Sequence, residues 1–140
     1  MAPLAPGPLL TIASGALSID IAPLAGGRIA QVRRDGVEFL VGHGDDTSAT
    51  IGWGSYPMAP WAGRIRGGRF DFQGCGYQLP PNLGDHAIHG VAFAMPWRVD
   101  AHSHDHVELS LALPDDERWP FGGTCRQRIE IGADRLHMTL

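Results

Sequence analysis

Short runs in which apolar and polar residues alternate, separated by turn-forming residues, most constrain how this chain can fold. The runs 17–21 and 107–113 both alternate in this way. An Asp-Gly dipeptide at 35–36 lies between two further apolar runs, which is a strong signal for a hairpin. Helical periodicity is hard to find, whereas a period of two is typical of strands with one buried face. The pattern predicts an all-β protein built as an antiparallel sandwich or barrel.

The segment 42–63 is rich in glycine, aspartate, serine, threonine and proline. This composition predicts a long loop, and long ordered loops in compact domains are often functional. No linker composition and no internal repeat interrupts the chain, so we assign residues 1–140 to a single β-sandwich domain.

The balance of charge argues against nucleic acid as a partner. Acidic residues number 15 against 11 basic ones, a net charge of -4, so the basic surface that nucleic acid requires is not indicated. No apolar run approaches the length of a membrane span, and the N-terminus lacks the basic start of a secretory signal. We therefore expect a cytoplasmic protein with no membrane partner; nothing in the sequence selects an oligomeric state.

Two polar residues flank a predicted hairpin in the segment 55–90. Arg64 follows a Pro-Trp-Ala-Gly turn, and His89 lies in Ala-Ile-His-Gly soon after a Pro-Pro-Asn-Leu-Gly loop. A hairpin between them can bring the two ends of the segment together. The donors of a guanidinium and the adaptable ring of a histidine suit a neutral, hydroxyl-rich ligand. We expect a buried Arg64 and His89 to line one concavity.

Five motifs in this segment occur in a fixed order: PWAGRI at 60–65, GGRF at 67–70, GYQLP at 76–80, NLG at 82–84 and IHG at 88–90. In order and spacing the segment resembles the aldose 1-epimerase (galactose mutarotase) family. Gly63 departs from the family pattern, because many members carry asparagine there. Weaker similarities lie at 97–99 and 119–123.

The resemblance implies a galactose mutarotase-like sandwich and an isomerase that interconverts the α and β anomers of a free aldose. It implies that Arg64 anchors sugar hydroxyls and that His89, as a catalytic and substrate-binding residue, hydrogen-bonds near the ring oxygen and supports the acid. Side chains supply both proton transfers in this chemistry, so the expected partner is a monosaccharide, with no cofactor and no metal. The sequence does not select the sugar, free or phosphorylated.

The family's acid histidine, sugar-binding aspartate and catalytic glutamate have no counterpart among these residues. An alternating run also continues to Leu140, the last residue. We therefore expect the N-terminal part of a longer chain, inactive by itself because it lacks the main acid and base.

Each candidate residue has a structural alternative. Arg64 could bond to loop carbonyls, and a lone histidine in apolar surroundings is more often structural than catalytic. Three tryptophans, at 53, 61 and 97, could stack on a sugar face, but large aromatic side chains in sandwiches are more often part of the core.

Two rival functions remain open. His102, His104, His106 and Glu108 have the core spacing of a cupin metal motif, but the flanking glycines of that motif are missing, and residues 101–106 have the composition of an exposed turn. The other rival is a non-catalytic carbohydrate-binding β-sandwich, which would share the fold and the arginine and would need no proton donor.

Overall fold

The computed structural model describes the backbone of residues 1–140 and the side chains other than that of Asp45. Short 3-10 segments lie at 45–47, 66–68 and 92–94. The strands are β1 (Leu10–Ser14), β2 (Leu17–Ala22), β3 (Arg28–Arg34), β4 (Val37–Glu38), β5 (Arg64–Ile65), β6 (Arg69–Phe72), β7 (Cys75–Gln78), β8 (Ala87–Ile88), β9 (Arg98–His102), β10 (His106–Ala112), β11 (Thr124–Ile131) and β12 (Leu136–Thr139).

The strands form two larger sheets and two small ladders. The first sheet has the order β1-β2-β3-β4, and the second has the order β12-β11-β10-β9. β5 pairs with β8, and β6 pairs with β7. All of these pairings are antiparallel. The prediction of an all-β, antiparallel protein is confirmed, and among the described residues no helix is long and apolar enough to span a membrane.

The core lies between the two larger sheets. The first sheet contributes Ile12, Ile19, Ile21 and Ile29, and the second contributes Val107, Leu109, Leu111, Ile129 and Ile131. These side chains are almost fully buried, and burial of an aliphatic side chain of this size contributes roughly 1.5–3 kcal/mol. The facing apolar surfaces therefore make the structure a β-sandwich, as expected.

Burial on one face explains why the alternating runs were correct indicators. In β2, Ile19 and Ile21 are buried, whereas Asp20 between them receives hydrogen bonds from Thr11 and Arg33 on the outer face. The run 107–113 lies mainly in β10, where Val107, Leu109 and Leu111 are buried, although Ser110 on the opposite face is buried as well. The loop 42–63 was also predicted correctly, since it contains a single 3-10 turn and no extended strand.

The apolar run at 37–41, which follows the Asp-Gly turn, forms a strand only at its start, because β4 ends at Glu38. The amide of Phe39 still donates to the carbonyl of Val32 in β3 at 3.0 Å, but for Leu40 the side chain of Gln31 takes the place of a strand partner. Its Nε2 donates to the carbonyl of Leu40 at 2.9 Å, and its Oε1 accepts from the amide of Leu40 at 2.9 Å. A side chain thus satisfies backbone groups that a ladder would otherwise pair.

A fully buried arginine joins the loop 42–63 to the sandwich. Arg28, at the start of β3, is 0% exposed. Its guanidinium donates to the carbonyls of Ala25, Thr50, Trp53 and Phe93 at 2.6–2.9 Å. Burial lowers the pKa of Arg28 to about 10, and the nearby Tyr56 acts in the opposite direction. The charge is held by backbone dipoles, since no carboxylate among the described residues pairs with it.

Arg28→Met should destabilise the protein strongly, because it removes the donors that satisfy four carbonyls. Hydrogen bonds to a charged group contribute about 1.5–3 kcal/mol each, and they are not additive. We expect the free energy of unfolding to fall by about 3 kcal/mol or more, measured by urea denaturation.

The matched control is Arg33→Met, in the same strand. Arg33 forms ion pairs with Asp20 and Glu38 at the surface, and such pairs contribute about 1 kcal/mol or less. Equal losses in the two variants would contradict a special role for Arg28.

Candidate functional site

The two predicted site residues lie next to each other in the small ladder of β5 and β8. Arg64 is directly opposite Ile88. The amide of His89 donates to the carbonyl of Gly63 at 2.9 Å. The segment 55–90 therefore does bring its two ends together, as the sequence predicted.

Arg64 is exposed, so the expectation of a buried arginine was wrong. The turn before it consists of the small, exposed residues Ala62 and Gly63, and it leaves the long side chain uncovered. Within the part of the chain that the structure describes, the guanidinium makes no hydrogen bond or ion pair, in contrast to that of Arg28. The alternative in which Arg64 serves loop carbonyls is not supported, and its donors are free for a ligand.

His89 has an unusual backbone conformation and precedes a tightly packed glycine. Its φ is 61°, in the left-handed region that few residues other than glycine adopt. Gly90 follows with a φ of 74°, and a Cβ there would lie 1.9 Å from the carbonyl oxygen of Ala59. The same oxygen accepts from the amides of Val91 and Ala92 at 2.9 and 3.0 Å. Backbone strain of this kind often accompanies functional sites.

The imidazole of His89 is partly buried and lies beside Tyr56, with ring centroids 6.3 Å apart. Its Nδ1 atom is buried and has no hydrogen-bond partner among the described residues. A buried donor that lacks an acceptor costs about 1–3 kcal/mol, so this nitrogen requires an explanation.

The loop before His89 is held by side chains that sequence reasoning did not identify. The side chain of Asn82 forms two hydrogen bonds with the backbone of Ile88. Its Nδ2 donates to the Ile88 carbonyl at 3.0 Å, and its Oδ1 accepts from the Ile88 amide at 2.8 Å. Nδ1 of His86 accepts from the amide of Gly67 at 3.1 Å. An asparagine directly after a Pro-Pro pair is a turn signal, but its partner becomes visible only in the folded chain.

The tryptophans divide between the core and the surface. Trp53 and Trp97 are 1% and 2% exposed and belong to the core, as the structural alternative predicted. Trp61 is partly exposed and lies 5.7 Å from Trp119, measured between ring centroids. It also lines a cavity of about 360 Å³ with Val91 and Met95. Neither Arg64 nor His89 lines this cavity, and a concavity shared by those two residues stays a prediction.

The residues of the proposed metal motif lie in the β9–β10 hairpin and have other partners. Nε2 of His102 is 3.3 Å from the carbonyl oxygen of Thr11, and Glu108 pairs with Arg128. His104 lies in the turn, with its side chain 86% exposed. Among the described residues, no group of three or more histidine, cysteine, aspartate or glutamate side chains is arranged to hold a metal ion.

The match to known sequences covers nearly the whole chain. Residues 8–140 match the family described as aldose 1-epimerase. The chain belongs to the aldose 1-epimerase family. One curated relative is YphB of Escherichia coli K12, an uncharacterized protein. It is 31% identical to this chain over 135 residues, which are 94% of this chain and 44% of YphB. YihR of the same organism, also uncharacterized, is 28% identical over 119 residues, or 82% of this chain and 37% of YihR. The chain thus spans less than half the length of these relatives.

Solved structures show the same fold. A crystal structure from Escherichia coli K12, provisionally named an aldose 1-epimerase, matches with a TM-score of 0.79 and 28% identity over 94% of this chain and 44% of its own. Galactose 1-epimerase from Lactobacillus acidophilus matches with a TM-score of 0.70 and 22% identity over 93% of this chain and 42% of its own. The sandwich described above is therefore the galactose mutarotase-like fold of the aldose 1-epimerase family.

Gly90→Ala should disrupt the turn that carries His89. The added Cβ would lie within 1.9 Å of the Ala59 carbonyl oxygen, so the backbone must move. We expect a loss of about 3 kcal/mol or more in the free energy of unfolding. Gly74→Ala is the control, because Gly74 also has a positive φ but its Cβ would meet nothing within 4 Å. That variant should lose about 1–2 kcal/mol, and a similar loss in both would show that the close contact is unimportant.

Ser103→Ala should change the acid titration of the β9–β10 turn. Oγ of Ser103 donates to Asp105 at 2.6 Å. This hydrogen bond has the largest effect on Asp105, and one from His106 has the next largest. Together they lower the pKa of Asp105 from 3.8 to about 2. Because the folded-state pKa is depressed, the stabilisation is present above pH 3.8 and is lost as the pH falls towards 2. In Ser103→Ala the pKa, followed by NMR, should move back towards 3.8, whereas Ser18→Ala should leave it unchanged.

Proposed function

We propose that this chain supplies part of the sugar site of an isomerase that interconverts the α and β anomers of a free aldose, a role in carbohydrate metabolism. The observation that carries the proposal is the pairing of the Arg64 turn with the His89 turn in one ladder. Membership of the aldose 1-epimerase family supports it.

The proposed reaction opens the sugar ring by acid–base chemistry. A base removes the proton from the anomeric hydroxyl, the bond from C1 to the ring oxygen breaks, and an acid protonates the ring oxygen. Closure on the other face of the carbonyl gives the second anomer. The proton count balances without an oxidant or a group donor, and positioned side chains are sufficient for such transfers.

Arg64 and His89 have different roles in this proposal. The exposed guanidinium of Arg64 donates to sugar hydroxyls, since its donors are not engaged by the described part of the chain. His89 is held in place by its backbone and hydrogen-bonds near the ring oxygen. Neither residue replaces the family's main base and acid, which have no counterpart among these residues. The 140-residue chain should therefore bind a sugar without accelerating mutarotation.

The test combines binding with polarimetry on the 140-residue chain. We expect NMR titration with galactose or glucose to shift the amides of Arg64 and His89 saturably, whereas galactitol, which has no ring, should bind more weakly. Arg64→Ala should weaken sugar binding about tenfold or more, because a hydrogen bond to a charged group contributes about 1.5–3 kcal/mol. Arg69→Ala is the control, since Arg69 is exposed and bonded to Gln78.

Polarimetry of freshly dissolved sugar in the presence of the 140-residue chain should show mutarotation at the uncatalysed rate. Rapid catalysis would show that the acid and base lie within these residues and would contradict the proposed division of roles. If neither galactose nor glucose binds saturably, the site assignment is contradicted. Binding by this chain together with no mutarotase activity in a family member of full length, such as YphB, would favour a carbohydrate-binding module.

A further inference from the structure

We propose that Tyr56 is a positioning residue for His89, and that it holds the imidazole so that Nε2, which carries the proton in the neutral ring, is the nitrogen that meets a ligand. The proposal rests on the function proposed above for His89. It goes beyond that function by naming the residue that orients the imidazole and by stating which ring nitrogen carries the proton.

Tyr56 packs against Arg28, whose own position is fixed. Arg28 is held by four backbone carbonyls. Its guanidinium carbon lies 5.0 Å from the centroid of the Tyr56 ring, within the range of a cation–π interaction. Phe93 packs against the same ring with a centroid distance of 5.6 Å. Tyr56 is therefore held by two residues of the interior although it is only half-buried.

Tyr56 in turn contacts the ring of His89. The ring centroids are 6.3 Å apart and the planes are inclined by 54°, which is an ordinary geometry for packed aromatic rings. The backbone of His89 is fixed independently by its bond to Gly63 and by the adjacent contact of Gly90 with Ala59. With the backbone fixed, rotation of the side chain is the remaining freedom, and Tyr56 restricts it.

The buried nitrogen decides the position of the proton. Nδ1 of His89 is buried and has no partner among the described residues. In a neutral imidazole one nitrogen carries the proton and the other accepts. A proton on Nδ1 would be a buried donor without an acceptor, which is the costlier arrangement. The proton therefore lies on Nε2, and His89 offers a donor to an oxygen of the ligand.

The tautomer can be measured on the protein without any activity assay. We expect ¹⁵N NMR of the neutral His89 ring to show a pyridine-like Nδ1 and a pyrrole-like Nε2. The ratio of the Nε2–H to the Nδ1–H form should exceed that in the urea-unfolded chain by at least about fivefold. The signal is assigned by its loss in His89→Asn, since asparagine tolerates a positive φ. A ratio equal to that of the unfolded chain, or a predominant Nδ1–H form, would overturn the proposal.

Two variants of Tyr56 separate a positioning role from a general structural one. Tyr56→Phe keeps the ring, so the tautomer ratio and the affinity for galactose should stay within about twofold of the original. Tyr56→Leu removes the ring, and we expect the ratio to fall towards the unfolded value and the dissociation constant to rise about tenfold. Tyr77→Leu is the control, because Tyr77 stacks on Phe70 in the β6–β7 hairpin, and it should change neither quantity.

The outcomes distinguish this proposal from the proposed function. An unchanged tautomer ratio in a folded Tyr56→Leu protein would overturn the positioning role. If that variant does not fold, Tyr56→Met, which fills similar space without a ring, is measured in its place. The predicted tautomer without any binding of sugar would support the positioning role and contradict the proposed function.

Discussion

A buried guanidinium is the interaction on which the arrangement of the candidate site depends. Arg28 brings its charge into the interior without a carboxylate partner among the described residues and distributes it over carbonyls of three loop regions. Burying a charge is costly unless it is fully hydrogen-bonded, so those carbonyls must stay within about 3 Å of the donors. The loop 42–63 and the 3-10 turn at 92–94 are thereby tied to the sandwich.

The carbonyl of Ala59 connects the loop that Arg28 holds to the turn that contains His89. Ala59 lies in the loop that Arg28 secures, and its oxygen accepts from Val91 and Ala92 and packs directly on Gly90. This close contact leaves room only for a residue without a side chain at position 90. His89, the residue before Gly90, also has a positive φ. A histidine beside a glycine of this kind is therefore placed by backbone packing more than by its own side-chain contacts.

The sequence predicted those features that a short stretch of chain determines. Burial on one face produces alternation directly, so β2 and β10 were recognisable. The two-residue strands β5 and β8 are too short to show a period, so the expectation that Arg64 and His89 would meet rested on the hairpin predicted between them and on the family resemblance. Arg28 was missed because the acceptors of its Nη atoms lie 22–65 residues away in the chain. The burial of Arg64 was wrongly predicted for the same reason, since exposure depends on what distant segments cover.

The two arginines show how one residue type can serve structure or a ligand. The hydrogen bonds that Arg28 donates all go to backbone carbonyls of the protein. The guanidinium of Arg64 donates no hydrogen bond to any of the described residues. A free arginine loses up to about 2 kcal/mol of side-chain entropy when a ligand orders it, so its contribution to affinity is reduced. If Tyr56 positions His89 as proposed, the imidazole, whose ring centroid lies 6.3 Å from that of Tyr56, would lose less side-chain entropy on binding. The proposed site would thus combine a pre-organised imidazole, which suits a role near reacting atoms, with an exposed cation that could adapt to the hydroxyl pattern of a sugar.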